Sequence, residues 1–300
     1  LEQLREAGIA PCALLLESVG RNTAPALTLA AVAAQEEGGD PVLAVTPADQ
    51  NVADPAAFTR AMRQAVNEAA AGRIAILGVA PDHPATGYGY IRATAGEGEA
   101  ARAVEGFFEK PDAARAQGYL DAGGYYWNAG IFVLKASVWL AALEHFRPDI
   151  AAAARAAWEG RRRDAGFVRP DAQRFAAIPA ESVDYAVLER CPGSAFSLVM
   201  VPLAAGWSDL GAWDAVWDAL PKDAEGNAHV GDVLAAGSRN TLVHASSRLV
   251  GVIGVENLVV IETADAVLVA DKAQSQAVKH IVAHLDRQKR AEHTLHRKVH

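Results

Sequence analysis

Short apolar runs alternating with helical segments limit the fold of this chain more than any other feature. The runs are Ala13–Leu16, PVLAVTP at 41–47 and RIAILGV at 73–79. Between the first two, Leu27, Ala30, Ala31 and Ala34 recur at helical spacing. Between the second and third, Phe58, Met62, Ala65, Val66 and Ala69 do the same. Asn22 or Thr23 is placed to cap the first helix, with Pro25 in its first turn, and Asp54-Pro55 opens the second. Gly38-Gly39 and Gly72 end them. Buried strands separated by helices predict βαβ units, and so an α/β fold with a mainly parallel sheet and helices on both faces. Ligands of such sheets sit beyond the carboxyl ends of the strands. That points to residues 17–23, 47–50 and 81–90.

Further on, YYWNAGIFVLK (125–135) reads as a strand. Ser137 is placed to cap a helix ending near Pro148, and Ala-rich helical sequence continues to Gly160. Ser182 caps a short helix in SVDYAVLER, and FSLVMVPL (196–203) is another strand. After Asp223 the texture changes. Residues 231–272 are Val-rich, with Gly237, Gly251, Gly254, Asn257 and Asp265 as turns, which predicts a small β-rich domain. A last helix runs from Ala277 to Arg290. The expected division is 1–222, 223–275 and 276–300.

A net charge of −8 argues against a nucleic-acid partner. No apolar run reaches the roughly 20 residues of a membrane span. The opening LEQLREAG is charged and helix-like, so no signal peptide is read there, and a cytoplasmic location is expected. Cys12 and Cys191 read as two buried free thiols. His280 and His284 share a helix face, and His293, His296 and His300 lie in a basic tail, so the histidines suggest no metal site.

The chemistry rests on carboxylates. In GWSDLGAW (206–213), two tryptophans and two glycines frame Asp209, just past an apolar strand; Asp49 follows another strand. Two acids with oxygen-only ligation suit Mg²⁺, which keeps several waters and binds substrate phosphates. In FFEKP (107–111), Lys110 can meet a phosphate and Glu109 a sugar hydroxyl; alone, the pair reads better as an exposed ion pair on a strand end. Asn128 is a lone amide among aromatics in YYWNAG and needs partners. Gly87 in TGYGYI permits close approach of backbone to a ligand. GRNTAP places Arg21 and Asn22 at a helix N-terminus, where they read either as base contacts or as a plain cap.

Taken in order, LLLESVGRNTAPAL, VTPADQ, TGYGYI, FFEKPD, YYWNAGIF, ESVDYAVLER, GWSDLGAW, DAEGN and SRNTLVHASSRLV resemble the bacterial mannose-1-phosphate guanylyltransferases. More narrowly, the chain resembles the nucleotidyltransferase part of the bifunctional isomerase/guanylyltransferase enzymes. The resemblance covers essentially the whole chain and implies a Rossmann-like, GT-A-like domain followed by a β-helix-like one. It implies transfer of GMP from GTP to mannose 1-phosphate, giving GDP-mannose and pyrophosphate. By motif, Asp49 and Asp209 would hold Mg²⁺ and Lys110 the sugar phosphate. Glu109, Asn128 and the Gly87-Tyr88 turn would take the mannose, and Arg21, Asn22 and Thr23 would lie near the guanine.

Two departures stand out. Gln50 occupies a position where His is usual, and Ser18 one where Pro is usual. The family's glycine-rich phosphate loop would precede Leu1, and EHTLHRKVH resembles the hinge to an isomerase domain. The chain alone is therefore expected to be inactive. The alternatives are another sugar 1-phosphate or base, or a non-catalytic sugar-nucleotide-binding fragment. A homo-oligomer built on the β-rich segment is compatible with the sequence.

Overall fold

The structure, a computed structural model, describes residues 2–96, 98–164 and 166–290. The proposed hinge, with His293, His296 and His300, lies outside them. The described chain forms two compact units. One comprises the residues up to Ala48 and Asp54–Trp207; the other comprises Asp49–Ala53 and the residues from Ser208 onward. The division falls earlier than the change of texture at Asp223, and a five-residue excursion of the first half joins the second unit.

The first unit is built on a six-stranded sheet. Its strands are β1 (Val42–Val45), β2 (Ile74–Val79), β3 (Tyr90–Ala93), β4 (Arg102–Phe108), β5 (Tyr125–Lys135) and β6 (Leu198–Pro202). Their order is β1-β5-β2-β6-β4-β3, with β3 also pairing with β5. The sheet corrects one expectation. β1, β2, β3 and β6 share a direction, but β5 and β4 run against them, so only β2 and β6 pair in parallel. Strand β5 is long enough to insert between β1 and β2 and to reach β3 beyond them.

Strand β2 shows why the sheet needs two helical layers. Ile74, Ala75, Ile76 and Leu77 are all buried, and alternate side chains leave opposite faces. Ile74 and Ile76 join a core with Leu29 of helix Thr23–Glu36, Trp139 and Leu143 of helix Ala136–Phe146, and Ile150 of helix Pro148–Glu159. Helix Pro55–Ala70 packs on strands β2, β5 and β6, burying Ala61, Ala65 and Ala69, whereas Val66 is exposed. The buried Trp139 indole donates to Thr28 Oγ1 (3.0 Å), which donates to the Ala24 carbonyl (2.7 Å), so no polar atom in that chain is stranded.

Local signals set the helix starts. Asn22 Oδ1 accepts from Thr23 N–H, Asp54 Oδ1 from two N–H groups, and Ser182 Oγ from Tyr185 N–H. Ser137 is not a cap. It lies inside its helix and bonds Asp40 through both its N–H and its hydroxyl. The Ala13–Leu16 run is also reassigned. Leu14–Leu15 is half-buried and pairs with Phe167–Arg169 in a separate three-stranded sheet. Cys191 is buried but Cys12 is exposed, and both are free thiols.

The second unit is a parallel β-coil. Ala228–Val230, Leu242–Ala245 and Leu258–Glu262 stack in parallel, and Val267–Asp271 closes the stack antiparallel. A second parallel ladder pairs Val233–Ala236 with Val250–Ile253. Asn240 and Asn257 turn successive coils with φ of 49° and 56°, a conformation Asn tolerates better than most residues. Helix Trp213–Ala219 packs Trp213, Val216 and Trp217 against the coil interior at Leu242 and Val259.

Candidate active site

Strand register builds the first cluster. Tyr90 faces Phe108 across β4 and Trp127 across β5. The neighbouring residues Gly89, Glu109 and Asn128 therefore meet at one end of the sheet. Asn128 N–H donates to the Gly89 carbonyl (2.8 Å). A Cβ at Gly89 would lie 2.6 Å from Glu109 Oε2, 3.2 Å from Phe107 Cζ and 3.4 Å from Asn128 Cβ, so a side chain there would displace the Glu109 carboxylate. At Gly87, the glycine singled out in the sequence, a Cβ would meet nothing within 4 Å. At Gly89 the close approach is to the protein's own Glu109, whereas the space beside Gly87 is open. Tyr88 sits edge-on to Trp127 and Trp207, with ring centroids 5.1 and 5.5 Å away.

Glu109 and Lys110 form an ion pair (3.1 Å), with the carboxylate side chain 8% exposed and the lysine 60%. The hydrogen bond to Glu109 holds the ammonium above its ordinary pKa, against partial burial, with help from the charges of Glu109 and Asp184. A buried anion beneath an exposed cation presents Lys110 to solvent as a fixed positive charge. Asn128 sits at a β-bulge, where the β2–β5 register shifts and Gly130 takes φ 70°. Its Oδ1 accepts from Gly130 N–H (3.0 Å), and its Nδ2 donates to Asp184 Oδ1 (2.9 Å).

The helix N-terminus at Asn22 stands beside an open, largely apolar groove of about 630 Å³. Thr23, Ala26, Val45, Pro47, Gly130 and Val183 are among the residues lining it. Arg21 is committed to the protein, donating to the Ala176 carbonyl. Thr23 Oγ1 accepts from Val183 N–H (2.9 Å).

Asp49 and Asp209 both fall in the second unit. Asp49 is exposed and lies just before the short strand Asn51–Val52; Asp209 is half-buried and lies just after Trp207–Ser208. Those two strands pair with each other. The framing of Asp209 is explicit. Its Oδ1 accepts from Gly211 N–H (2.9 Å), and a Cβ on Gly211 would crowd Oδ2 at 2.6 Å. Trp207 packs in the aromatic cluster of the first unit, and Trp213 packs in the core of the second. Asn22, Lys110 and Leu210 are three of the six non-glycine residues with left-handed φ among the described residues. All three belong to or adjoin predicted site positions, where such strain tends to concentrate.

The sequence reading passed over Asp184, Gly89 and Glu189. An acid just after a Ser cap looks like an ordinary helix-dipole partner, which hides Asp184. Glu189 Oε1 accepts from the Glu109 N–H (3.0 Å) across 80 residues, a contact no local pattern signals.

The nucleotidyl transferase family model matches residues 1–226. The chain belongs to this family. The model of the MannoseP isomerase/GMP-like β-helix domain matches residues 231–285, in accord with the coil of the second unit. Among relatives of this chain, the xanthan biosynthesis protein XanB of Xanthomonas campestris pv. campestris (strain B100) is 49% identical over 99% of the chain and 62% of its own length. A mannose-1-phosphate guanylyltransferase of Escherichia coli K12 is 44% identical over 99% of the chain and 63% of its own length. The chain thus spans less than two thirds of those proteins. A crystal structure of a mannose-1-phosphate geranyltransferase from Thermus thermophilus superposes with a TM-score of 0.80 at 32% identity, covering 94% of this chain and 80% of that one. No described helix is long and apolar enough to cross a membrane.

Proposed function

We propose that the protein transfers GMP from GTP to mannose 1-phosphate, releasing pyrophosphate, in the cytoplasm. The observation that carries the reading is the cluster of Gly89, Glu109, Lys110 and Asn128. It combines a buried acceptor, an amide fixed at both ends and a solvent-facing ammonium within one sheet end. A sugar phosphate needs that combination: hydroxyls to be read and a dianion to be neutralised. The name of the Escherichia coli relative supports mannose as the sugar and guanine as the base.

In this reading Lys110 binds the sugar phosphate, Glu109 accepts from mannose hydroxyls, and Asn128 donates to one. The backbone of the Gly87–Gly89 turn and the Tyr88 ring bound the same cluster. Asn22 stands at the guanine end, with Arg21 and Thr23 holding the loop that presents it. Asp49 and Asp209 supply carboxylate oxygens only, and the Gly211 N–H fixes the orientation of the Asp209 carboxylate. That donor set fits Mg²⁺, which binds through one or two carboxylates plus waters and phosphates. Bound there, the ion would neutralise charge on the phosphates. The residues themselves hold the sugar phosphate for in-line attack of its oxygen on the α-phosphorus of GTP, by positioning and charge rather than by a covalent intermediate.

The test is product analysis by chromatography. GTP, ATP, UTP and dTTP are each paired with mannose 1-phosphate and glucose 1-phosphate in the presence of Mg²⁺. GDP-mannose as the dominant product is expected. A different nucleotide sugar as the main product would replace the assignment.

A further inference from the structure

One short segment, residues 181–189, bonds both to two members of the sugar cluster and to the helix start at Thr23–Ala24. Glu181 accepts from Ala24 N–H through its carbonyl (3.1 Å), and Val183 N–H donates to Thr23 Oγ1 (2.9 Å). Asp184 accepts from Asn128, and Glu189 accepts from the main chain of Glu109. At its centre, Asp184 lies half-buried in the helix Val183–Ala186, with Glu109 and Lys110 as its charged neighbours.

The Asn128 amide has two ways of lying, and its neighbours choose one. Gly130 N–H must meet an oxygen, and the Asp184 carboxylate must meet a nitrogen. An amide flipped by half a turn would oppose N–H to N–H and oxygen to carboxylate, each a lost hydrogen bond plus a repulsion. The flip is therefore closed off, and one N–H of Asn128 stays available. Without Asp184 only the Gly130 contact would remain, and the amide could rotate.

Resting on the sugar-phosphate reading above, we infer that Asp184 is a positioning residue for the acceptor sugar. By locking the Asn128 amide, it fixes a single N–H donor for a hexose hydroxyl. Its hydrogen bond acts through Asn128, on the sugar end, while its charge also bears on Lys110.

The prediction separates acceptor from charge. In Asp184→Asn, the new amide oxygen can still accept from Asn128. In Asp184→Leu nothing can. Steady-state kinetics of the full-length protein should show KM for mannose 1-phosphate raised roughly tenfold or more by Leu, the scale of one charge-assisted hydrogen bond. KM for GTP should stay within about twofold, and Asn should restore most of the loss. Equal rises in both KM values, or no rise with Leu, would overturn the inference.

A second readout needs no substrate. In ¹H–¹⁵N spectra of the ligand-free protein, the Asn128 side-chain NH₂ pair, assigned by its loss in Asn128→Ser, should shift in Asp184→Leu and hold near its place in Asp184→Asn. An unmoved pair in Asp184→Leu would sink the positioning role whatever the substrate proves to be. A wild-type protein that makes no GDP-mannose but shows the shift would instead remove only the functional reading.

Discussion

A methyl group on residue 89 would press on Glu109 Oε2, and one on residue 87 would touch nothing. Gly89→Ala should therefore raise KM for mannose 1-phosphate roughly tenfold, as overpacking by one carbon displaces the Glu109 carboxylate. Gly87→Ala should stay within about twofold, as open surface positions do. Kinetics on the two variants side by side decide it; equal effects would mean the cluster is not built on Gly89. The sequence showed both glycines in TGYGYI, yet nothing local distinguishes them, because the contact comes from β4 and β5. Asp184 gives a pH signature. Burial, and then the Glu109 charge, push its pKa from 3.8 up to about 6. A raised carboxyl pKa means that the folded state prefers the proton. That stabilisation is complete below about pH 4 and is lost as pH rises through 6, on the order of 3 kcal/mol in all. Asp184→Asn should remove this slope and melt at a higher temperature than wild type at pH 7.5. A lower melting temperature there would contradict the burial argument.

Elements were legible where the signal is local and illegible where it depends on a partner. Asn22, Asp54 and Ser182 cap the helices their sequences announce, because a cap needs only the next few N–H groups. Strand β5 fell on the expected residues, 125–135. Its direction did not follow from its sequence, since an apolar run fits a buried strand of either sense. The loop GWSDLGAW combines the two cases. Its tryptophans announce anchoring, and the structure supplies the anchors: the aromatic cluster of the first unit for Trp207 and the coil core for Trp213. Leu210 takes φ 49°, and the Gly211 N–H donates to the Asp209 carboxylate. Asp209→Asn keeps that geometry and removes the charge. It should cut kcat by about a hundredfold or more, the usual cost of a lost electrostatic element, with melting unchanged and Mn²⁺ affinity weakened. Near-normal turnover would take Asp209 out of the metal role.

At the scale of the molecule, the change of texture at Asp223 announced a second, β-rich region. The sequence did not show that Asp49–Ala53 leaves the first unit to join it, because its pairing with Trp207–Ser208 is a contact across more than 150 positions that no local pattern signals. The two units answer acid with opposite signs. In the first, Asp184 favours its proton. In the second, the buried carboxylate of Glu262 accepts from the Ser247 hydroxyl (2.5 Å), Ser247 N–H (2.9 Å) and Arg248 Nε (2.9 Å); the Ser247 bonds first, then the Arg248 N–H and charge, pull its pKa from 4.5 down to about 2. A depressed pKa means that the folded state prefers the anion, so this contribution is present above pH 4.5 and fades as pH falls towards 2. Glu262 ties the coil turn at Ser246–Arg248 to the strand Leu258–Glu262, and an amide in its place can accept from only one side. Glu262→Gln should therefore lower the stability of the second unit at pH 7, and the deficit should narrow as pH falls below 4.5. Hydrogen exchange read peptide by peptide tests this, since it reports each unit separately. Protection should drop across 242–262 in the variant at neutral pH, while β2 and β5 of the first unit keep theirs. A deficit that stays constant down to pH 3 would show that the Glu262 charge contributes nothing and that its side chain acts by packing alone.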